Sequence, residues 1–173
     1  ALTRSRYSNW IGGYAPIVEN NPIVKLIGFS HPLLIWENKK KEAPKPVSID
    51  FHINRNTKVV AITGPNTGGK TVALKGLGIA LLMARSGLFI PSIKNPIIPF
   101  CPNIFVDIGD DQSLEGNLST FSGHILRIRN ILESLNNKKG ISVVLLDEIG
   151  SGTDPSEGTA LAIALLKEFA TLS

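Results

Sequence analysis

The segment Gly64-Pro65-Asn66-Thr67-Gly68-Gly69-Lys70-Thr71 (GPNTGGKT) decides how the rest of the chain is interpreted. It fits the pattern G-x-x-x-x-G-K-[ST], in which glycines let the backbone curl so that successive N–H groups point at phosphate oxygens. The lysine of this pattern reaches the β- and γ-phosphates, and the hydroxyl after it ligates magnesium. The segment therefore predicts a P-loop for ATP and Mg²⁺, with Lys70 as a phosphate-binding and catalytic residue and Thr71 as a metal ligand.

The flanking segments have the order that a P-loop requires. Lys58–Thr63 (KVVAIT) is rich in β-branched residues and predicts a strand, and the apolar stretch from Gly69 to Arg85 predicts a buried helix. A strand, a glycine-rich loop and a helix in this order bring the helix N-terminus, which favours anions, to the loop. A glycine turn that binds no phosphate is the alternative, and this context disfavours it.

A second candidate site follows the apolar run Ser142–Leu146 (SVVLL), which predicts a buried strand ending in Asp147 and Glu148. Ligands of open parallel sheets bind beyond the carboxyl ends of the strands. We therefore expect Asp147 to hold magnesium and Glu148 to polarise the attacking water as general base. Without other motifs, Asp147 and Glu148 would be interpreted as ordinary charged residues at the end of a strand. The upstream P-loop favours the catalytic interpretation.

Between these two sites, Asp107–His124 carries many acids and small polar residues. A helix is predicted from Ser119 to Asn136, because its apolar residues recur every three to four positions. Ser119 and Thr120 at its start could present a hydroxyl and backbone N–H groups to a phosphate. From the residues alone, helix capping by Ser119 is at least as good an interpretation. His124 is expected on one side of the helix rather than in catalysis.

The fold class predicted is α/β, with a largely parallel sheet flanked by helices and an antiparallel β portion near the N-terminus. Residues 1–20 are interrupted by Gly12-Gly13 and Pro16, and they predict a tail or the end of an upstream domain. The remaining predicted elements are strands at Ile23–Ile27, Leu33–Trp36, Val47–Ile53 and Phe105–Ile108, and a helix from Glu157 to Ala170.

Composition narrows the classes of protein that remain. A chain of 173 residues with 43% apolar side chains suits one domain with a hydrophobic core, and the single cysteine, Cys101, excludes an internal disulfide. The net charge of +4 is compatible with a polyanionic partner but equally with an ordinary surface. Arg85 interrupts the longest apolar stretch, so no membrane partner is expected, and a cytoplasmic location is the default expectation.

Taken together, these motifs resemble the MutS family of ATPases, which belong to the ABC class of P-loop proteins. The segments that carry the resemblance are Gly64–Thr71, Ser119–Phe121 (STF) and Leu146–Thr153 (LDEIGSGT), in the family's order and spacing. Thr71, Gly109–Ser113 (GDDQS) and Asp154–Gly158 (DPSEG) resemble its second bacterial branch, the recombination-suppressing, endonuclease MutS-like paralogue. The resemblance covers 23–173 as a C-terminally truncated MutS-type ATPase domain. It implies that 1–22 is a linker or the end of an upstream core domain.

The resemblance implies an ATP-hydrolysing homodimer in which each ATP lies between two subunits. Ser119 and Thr120 match the residues that reach the partner's γ-phosphate, and Asp154 matches the loop that communicates between the two sites. The ATP state would open or close a clamp around branched or mismatched DNA and so suppress homologous recombination, and any endonuclease activity would belong to a domain outside these residues. Two departures are expected to matter: Ser30-His31-Pro32 stands where the family commonly has Arg-His-Pro, and the family's switch histidine would follow Ser173.

Three other functions remain as alternatives. The same ATPase domain could belong to a factor that acts on collided ribosomes and binds RNA-rich surfaces instead of DNA. A transporter-type nucleotide-binding subunit would carry a Leu-Ser-Gly-Gly-Gln signature, for which Leu118–Phe121 (LSTF) is a poor substitute. A non-catalytic nucleotide-binding scaffold is disfavoured because both Asp147 and Glu148 are present.

Overall fold

A computed structural model of the chain describes residues 2–65, 68–109 and 120–172, apart from the side chain of Thr120. The helices and strands, in chain order, are α1 (Leu2–Ile11), β1 (Ile17–Glu19), β2 (Val24–Phe29), α2 (Pro32–Lys39), β3 (Ile49–Ile53), α3 (Lys70–Arg85), β4 (Ile97–Pro99), β5 (Asn103–Asp107), α4 (Thr120–Asn137), β6 (Ser142–Leu146) and α5 (Pro155–Thr171). They belong to two compact units. The first unit is Ala1–Thr57 with Gly64–Pro102, and the second is Lys58–Thr63 with Asn103–Ser173. Over the described ranges, none of the helices has both the length and the apolar character needed to cross a bilayer.

The first unit is built on a four-stranded mixed sheet with the order β1-β4-β2-β3. Strands β1 and β4 are parallel, whereas β2 is antiparallel to both β3 and β4. The expected antiparallel portion near the N-terminus is confirmed by β2 and β3, but the expectation of a largely parallel sheet was wrong for this unit. That expectation assumed that each strand–helix alternation is a parallel crossover. Here β4 follows α3 along the chain but pairs with β2 in the opposite direction, which local sequence patterns do not encode.

Helix α3 confirms the helix predicted from Gly69 to Arg85, and it buries Ala73, Leu77, Ala80 and Leu81. A Cβ added at Gly76 would lie 2.9 Å from Cε1 of Phe29, so only glycine allows this close approach of the helix to Phe29. Phe29 is itself fully buried in β2. The helix that follows the glycine-rich loop is therefore anchored in the core of the first unit.

Helix α2 replaces the strand that was predicted at Leu33–Trp36. His31 caps the helix by accepting a hydrogen bond at Nδ1 from the Leu33 N–H, 3.3 Å away, and Pro32 is the first helical residue. Proline is favoured at that position because its fixed φ suits a helix and its missing N–H needs no partner. A four-residue apolar run does not distinguish helix from strand, and the capping pair before it decides.

Residues 1–20 contain regular structure, since α1 and β1 lie in them and β1 pairs with β4 along Ile17–Glu19. This corrects the interpretation of the stretch as a tail. The domain boundary expected after residue 22 stays a prediction.

The second unit contains the parallel pair β5 and β6, in which Asp107 lies opposite Leu146. Helix α4 is the crossover between them, and it buries His124, Ile128 and Ile131 along one face. Strand β6 has the predicted bounds, and α5 begins two residues before the predicted start. This strand–helix–strand arrangement is the parallel element that the sequence predicted, and it carries Asp147 immediately after β6.

Lys58–Thr63, predicted as the strand before the P-loop, forms no strand within the described residues. Val60 is 53% exposed and Ile62 is 39% exposed, so the β-branched side chains of this run are not in the core. The prediction of a strand here was wrong for this structure. Strand propensity reflects packing on a pleated surface, and it does not produce a strand where no neighbour supplies the ladder.

Candidate functional site

The glycine-rich loop in the first unit has the backbone that its sequence requires. Gly64 has a φ of 147° and Gly69 a φ of 76°, both in the region that side chains with a Cβ rarely adopt. The Gly68 N–H donates to the Pro65 carbonyl at 2.9 Å. Asn66 and Thr67, both predicted to bind phosphate, lie outside the described residues. The glycines at 64 and 69 are therefore conformational requirements of the loop.

Lys70 is the first residue of α3, and its ammonium donates a hydrogen bond to the Gly64 carbonyl at 2.6 Å. Its side chain thus extends back along the loop that precedes it. The N-cap of α3 is Gly69, so no side chain caps the N-terminus of this helix. An ammonium and a helix N-terminus at one glycine-rich loop form the donor set that a polyphosphate requires. These residues fit the phosphates of ATP.

In the second unit, Asp147 and Glu148 directly follow β6 and differ in backbone conformation. The Asp147 N–H donates to the Asp107 carbonyl at 3.0 Å and extends the β5–β6 ladder by one residue. The Glu148 N–H donates to Oδ1 of Asp147 at 3.1 Å. Glu148 itself has a φ of 47° and an exposed side chain. A left-handed residue other than glycine is strained, and such strain is concentrated at functional sites.

The loop after Glu148 is held against both neighbouring helices. A Cβ on Gly158 would lie 2.6 Å from the carbonyl oxygen of Gly150, so the first turn of α5 touches the loop backbone to backbone. Gly152 has a φ of 83°, and a Cβ there would lie 3.5 Å from the Phe121 Cβ in the first turn of α4. Asp154 caps α5 by accepting from the Ser156 N–H at 2.9 Å. Hydrogen bonding by the Ser156 hydroxyl and backbone lowers the pKa of Asp154, which favours its charged form.

A buried ion-pair network joins β5 to α4, and the sequence had not predicted it. Asp107 is 4% exposed, and its two carboxylate oxygens contact Nδ1 of His124 at 2.8 Å and Nε of Arg127 at 2.5 Å. His124 was expected on one side of the helix, and it lies there, buried and paired. The signal in the sequence was an acid at a strand end followed by basic residues three apart on one helix face.

The structure brings together some of the predicted site residues and leaves others as predictions. It places Lys70 on the Gly64 carbonyl, and Asp147 beside Glu148. Ser119 lies outside the described residues, and Thr120 is placed as the first residue of α4 without its side chain. Because Thr71 belongs to the first unit and Asp147 to the second, their sharing of one magnesium ion stays a prediction.

The donor chemistry of Thr71 and Asp147 fits magnesium. A hydroxyl and a carboxylate are hard oxygen ligands, and magnesium takes one or two protein ligands together with nucleotide phosphates and water. Over the described residues, no group of three or more His, Cys, Asp or Glu side chains could hold a metal ion. The oxygen chemistry of Thr71 and of Asp147, each in its own unit, is the kind that magnesium takes beside a nucleotide.

The chain matches one protein family, and it is similar to several proteins that are much longer than the chain itself. The family described as MutS domain V matches residues 60–172. Endonuclease MutS2 from Synechocystis sp. is 48% identical over 98% of this chain, and Endonuclease MutS2 from Clostridium perfringens is 47% identical over 96% of it. Endonuclease MutS2 from Listeria innocua is 46% identical over 95%. The chain spans 23% of the Synechocystis relative and 20% of the other two.

Proposed function

The chain belongs to the MutS family, and we propose that it is an ATPase domain that binds ATP with Mg²⁺ and hydrolyses it to ADP and phosphate. The observation that carries this proposal is the hydrogen bond of 2.6 Å from the Lys70 ammonium to the Gly64 carbonyl. It places the lysine of the motif along the glycine-rich loop, at the N-terminus of α3. The match of residues 60–172 to MutS domain V includes this loop and both acids after β6.

In this proposal each residue has a distinct role. The loop from Gly64 to Gly69 donates backbone N–H groups to the phosphates, and Lys70 neutralises charge on the β- and γ-phosphates. Thr71 and Asp147 would hold the magnesium ion, which would screen the charge of the phosphates. Glu148, exposed after β6, accepts the proton of the attacking water as general base.

For the full-length protein we propose a homodimer that acts on branched or mismatched DNA and suppresses recombination. Its relatives carry the name Endonuclease MutS2, which supports a nucleic-acid substrate. Ser119 and Thr120 at the start of α4 would reach the γ-phosphate held by the partner subunit. The DNA clamp and any nuclease would lie in parts of the protein beyond these residues.

Two substitutions in the full-length protein test the ATPase assignment. Glu148→Gln should keep ATP binding and lower turnover by about 100-fold or more, because the base is removed while shape is kept. Lys70→Ala should weaken ATP binding itself. Glu168→Gln, an exposed carboxylate late in α5, is the matched control and should hydrolyse ATP normally. Binding by fluorescent nucleotide titration and steady-state phosphate release separate the two effects. A normal rate in Glu148→Gln would show that another group is the base.

The proposed DNA substrate is tested by the same steady-state assay. Four-way DNA junctions should stimulate ATP hydrolysis by the full-length protein more than linear duplex of equal length does. Purified ribosomes form the comparison arm. Stimulation by ribosomes alone would contradict the DNA proposal and leave the ATPase assignment in place.

A further inference from the structure

Asp107, His124 and Arg127 form a hydrogen-bonded network in the second unit, and the proposed ATP chemistry assigns no role to these three side chains. The Asp107 carboxylate can only accept, so His124 donates from Nδ1 over 2.8 Å and Arg127 donates from Nε over 2.5 Å. Nη2 of Arg127 also lies 3.3 Å from Nδ1 of His124. Asp107 and His124 are buried, whereas the Arg127 side chain is 35% exposed.

The main chain of Asp107 links this network to the acidic strand end. Its carbonyl accepts from the Asp147 N–H at 3.0 Å, and Asp147 directly precedes Glu148. One residue thus holds the backbone of the proposed magnesium ligand and, through its side chain, two residues of α4.

The spacing of His124 and Arg127 allows them to hold α4 in one orientation. His124 and Arg127 are three positions apart and therefore lie on one face, one turn above the other. With each carboxylate oxygen assigned to a different residue, both the rotation of α4 and its shift along its axis are constrained. Phe121 against Gly152 gives a separate contact one turn nearer the helix start.

Stability alone does not account for such a network. A buried ion pair loses hydration, and well-packed apolar side chains of similar volume often stabilise a protein as well or better. Ionic networks contribute geometry, because charged hydrogen bonds to a carboxylate are short and directional. The helix held in this way begins at Thr120, at the residues proposed to reach the partner's γ-phosphate.

We propose that Asp107, His124 and Arg127 are positioning residues that set the first turn of α4 relative to Asp147 and Glu148. Through this network each subunit presents the start of α4 to the ATP bound by its partner. The inference rests on the proposed ATPase function. It predicts that damage to the network slows hydrolysis at the partner's site while ATP binding in its own site is kept.

The first experiment compares two arginines of the same helix in the full-length protein. Arg127→Gln should lower kcat by about tenfold or more, because a misplaced catalytic contact is costly, with little change in KM for ATP. Arg127→Lys should recover part of the rate, since an ammonium can still pair with one oxygen of Asp107. Arg129→Gln is the matched control, because Arg129 is exposed and pairs only loosely with Glu133 at 3.6 Å. Equal rates in the Arg127→Gln and Arg129→Gln proteins would overturn the proposal.

A second experiment asks whether the effect acts across the dimer. Subunits with Arg127→Gln are mixed with subunits that carry Glu148→Gln, each variant being slow alone. In a mixed dimer, one site combines an intact Glu148 from the first subunit with an intact α4 start from the second. Random pairing should then restore about a quarter of the wild-type rate. A mixture that stays as slow as its components would show that the network acts within its own subunit, and would overturn the proposal.

The two proposals fail in different ways. The assigned ATP chemistry is wrong if the wild-type protein releases no phosphate, or if the Glu148→Gln protein releases phosphate at the wild-type rate. The positioning role would then be wrong as well. If Glu148→Gln is slow and Arg127→Gln is fast, only the positioning role falls. Binding of fluorescent ATP by Arg127→Gln at wild-type affinity excludes misfolding as the cause of a slow rate.

Discussion

Glu148 keeps a left-handed backbone, with a φ of 47°, directly after the strand that ends at Leu146. Such a conformation costs a residue with a Cβ about 1–2 kcal/mol. The Ser151 N–H donates to the Glu148 carbonyl at 2.9 Å, so the turn that follows holds the residue in place. The stability of the folded protein alone would favour glycine or asparagine at this position. The strained glutamate is consistent with the general-base role proposed for its carboxylate.

Replacing this glutamate should separate stability from activity. Glu148→Gly relieves the backbone strain and should slow amide exchange in β6, corresponding to about 1 kcal/mol of added local stability, while ATP hydrolysis is lost. Glu168→Gly, in the interior of α5, is the control and should destabilise by about 1 kcal/mol, because its backbone is helical. Hydrogen exchange on the full-length proteins reports both changes. Faster exchange in β6 of Glu148→Gly would mean that the turn is not strained.

His31 predicts a pH dependence for helix α2. Burial, with a smaller opposing effect of Glu37 and a further lowering by Lys75, lowers the pKa of His31 below its ordinary value of 6.5. The unfolded chain therefore binds a proton more readily than the folded one, and stability falls as the pH drops through 6.5 and levels off below the folded pKa. Protonation also removes the Nδ1 acceptor that caps Leu33. Below pH 6.5, amide exchange in α2, corrected for its intrinsic pH dependence, should show lower protection.

His31→Asn is the matched control for this pH effect. Asparagine caps a helix well and does not titrate, so protection of α2 in that variant should be flat across the same pH range. A pH profile of the variant that parallels the wild-type profile would assign the effect to another group.

At the scale of secondary structure, the contact between Gly150 and Gly158 reverses the usual effect of alanine in a helix. Helix propensity alone predicts that Gly158→Ala stabilises α5 by about 1 kcal/mol. Its Cβ would, however, lie 2.6 Å from the Gly150 carbonyl oxygen, and a backbone atom cannot rotate away. We expect a net destabilisation of about 1–3 kcal/mol and displacement of the loop after Glu148, with reduced ATP hydrolysis.

The exposed position Ala160 on the same helix provides the control. Ala160→Gly should destabilise by about 1 kcal/mol through helix propensity and leave hydrolysis unchanged. Thermal unfolding and phosphate release, measured together on the full-length proteins, distinguish the two. A Gly158→Ala protein as stable and active as wild type would show that α5 can shift away from the loop.

Elements with strong local signals could be predicted from the sequence. Strand β6 is an apolar run, and α3 follows a glycine and contains a long apolar stretch, so both appear with close to the predicted bounds. Local signals failed where a partner decides the outcome. Lys58–Thr63 has strand-forming residues but no ladder in the described chain. Leu33–Trp36 was predicted wrongly for another reason, since the local capping pair His31 and Pro32 favours a helix there.

For the molecule as a whole, individual site residues could be predicted from the sequence better than contacts between residues that are distant along the chain. Asp147 and Glu148 follow a strand, as expected, because a buried run ending in acids is visible in one stretch of sequence. The pairing of Asp107 with Arg127, 20 residues later, depends on how α4 returns to β5. The mixed sheet has the same origin, since the direction of β4 is set by tertiary packing and not by its own residues.

The proposed composite site makes ATP hydrolysis a property of the dimer. If the start of α4 completes the site of the partner, a monomer lacks the contact to the γ-phosphate, and hydrolysis per subunit should follow the fraction of dimer as the full-length protein is diluted. Phosphate release and sedimentation, measured over the same concentration range, test this. The Arg129→Gln protein should follow the wild-type curve, whereas Arg127→Gln should form dimers equally well and remain slow at every concentration. Monomers that hydrolyse ATP at the dimer's rate per subunit would contradict both the composite site and the role given to the Asp107 network.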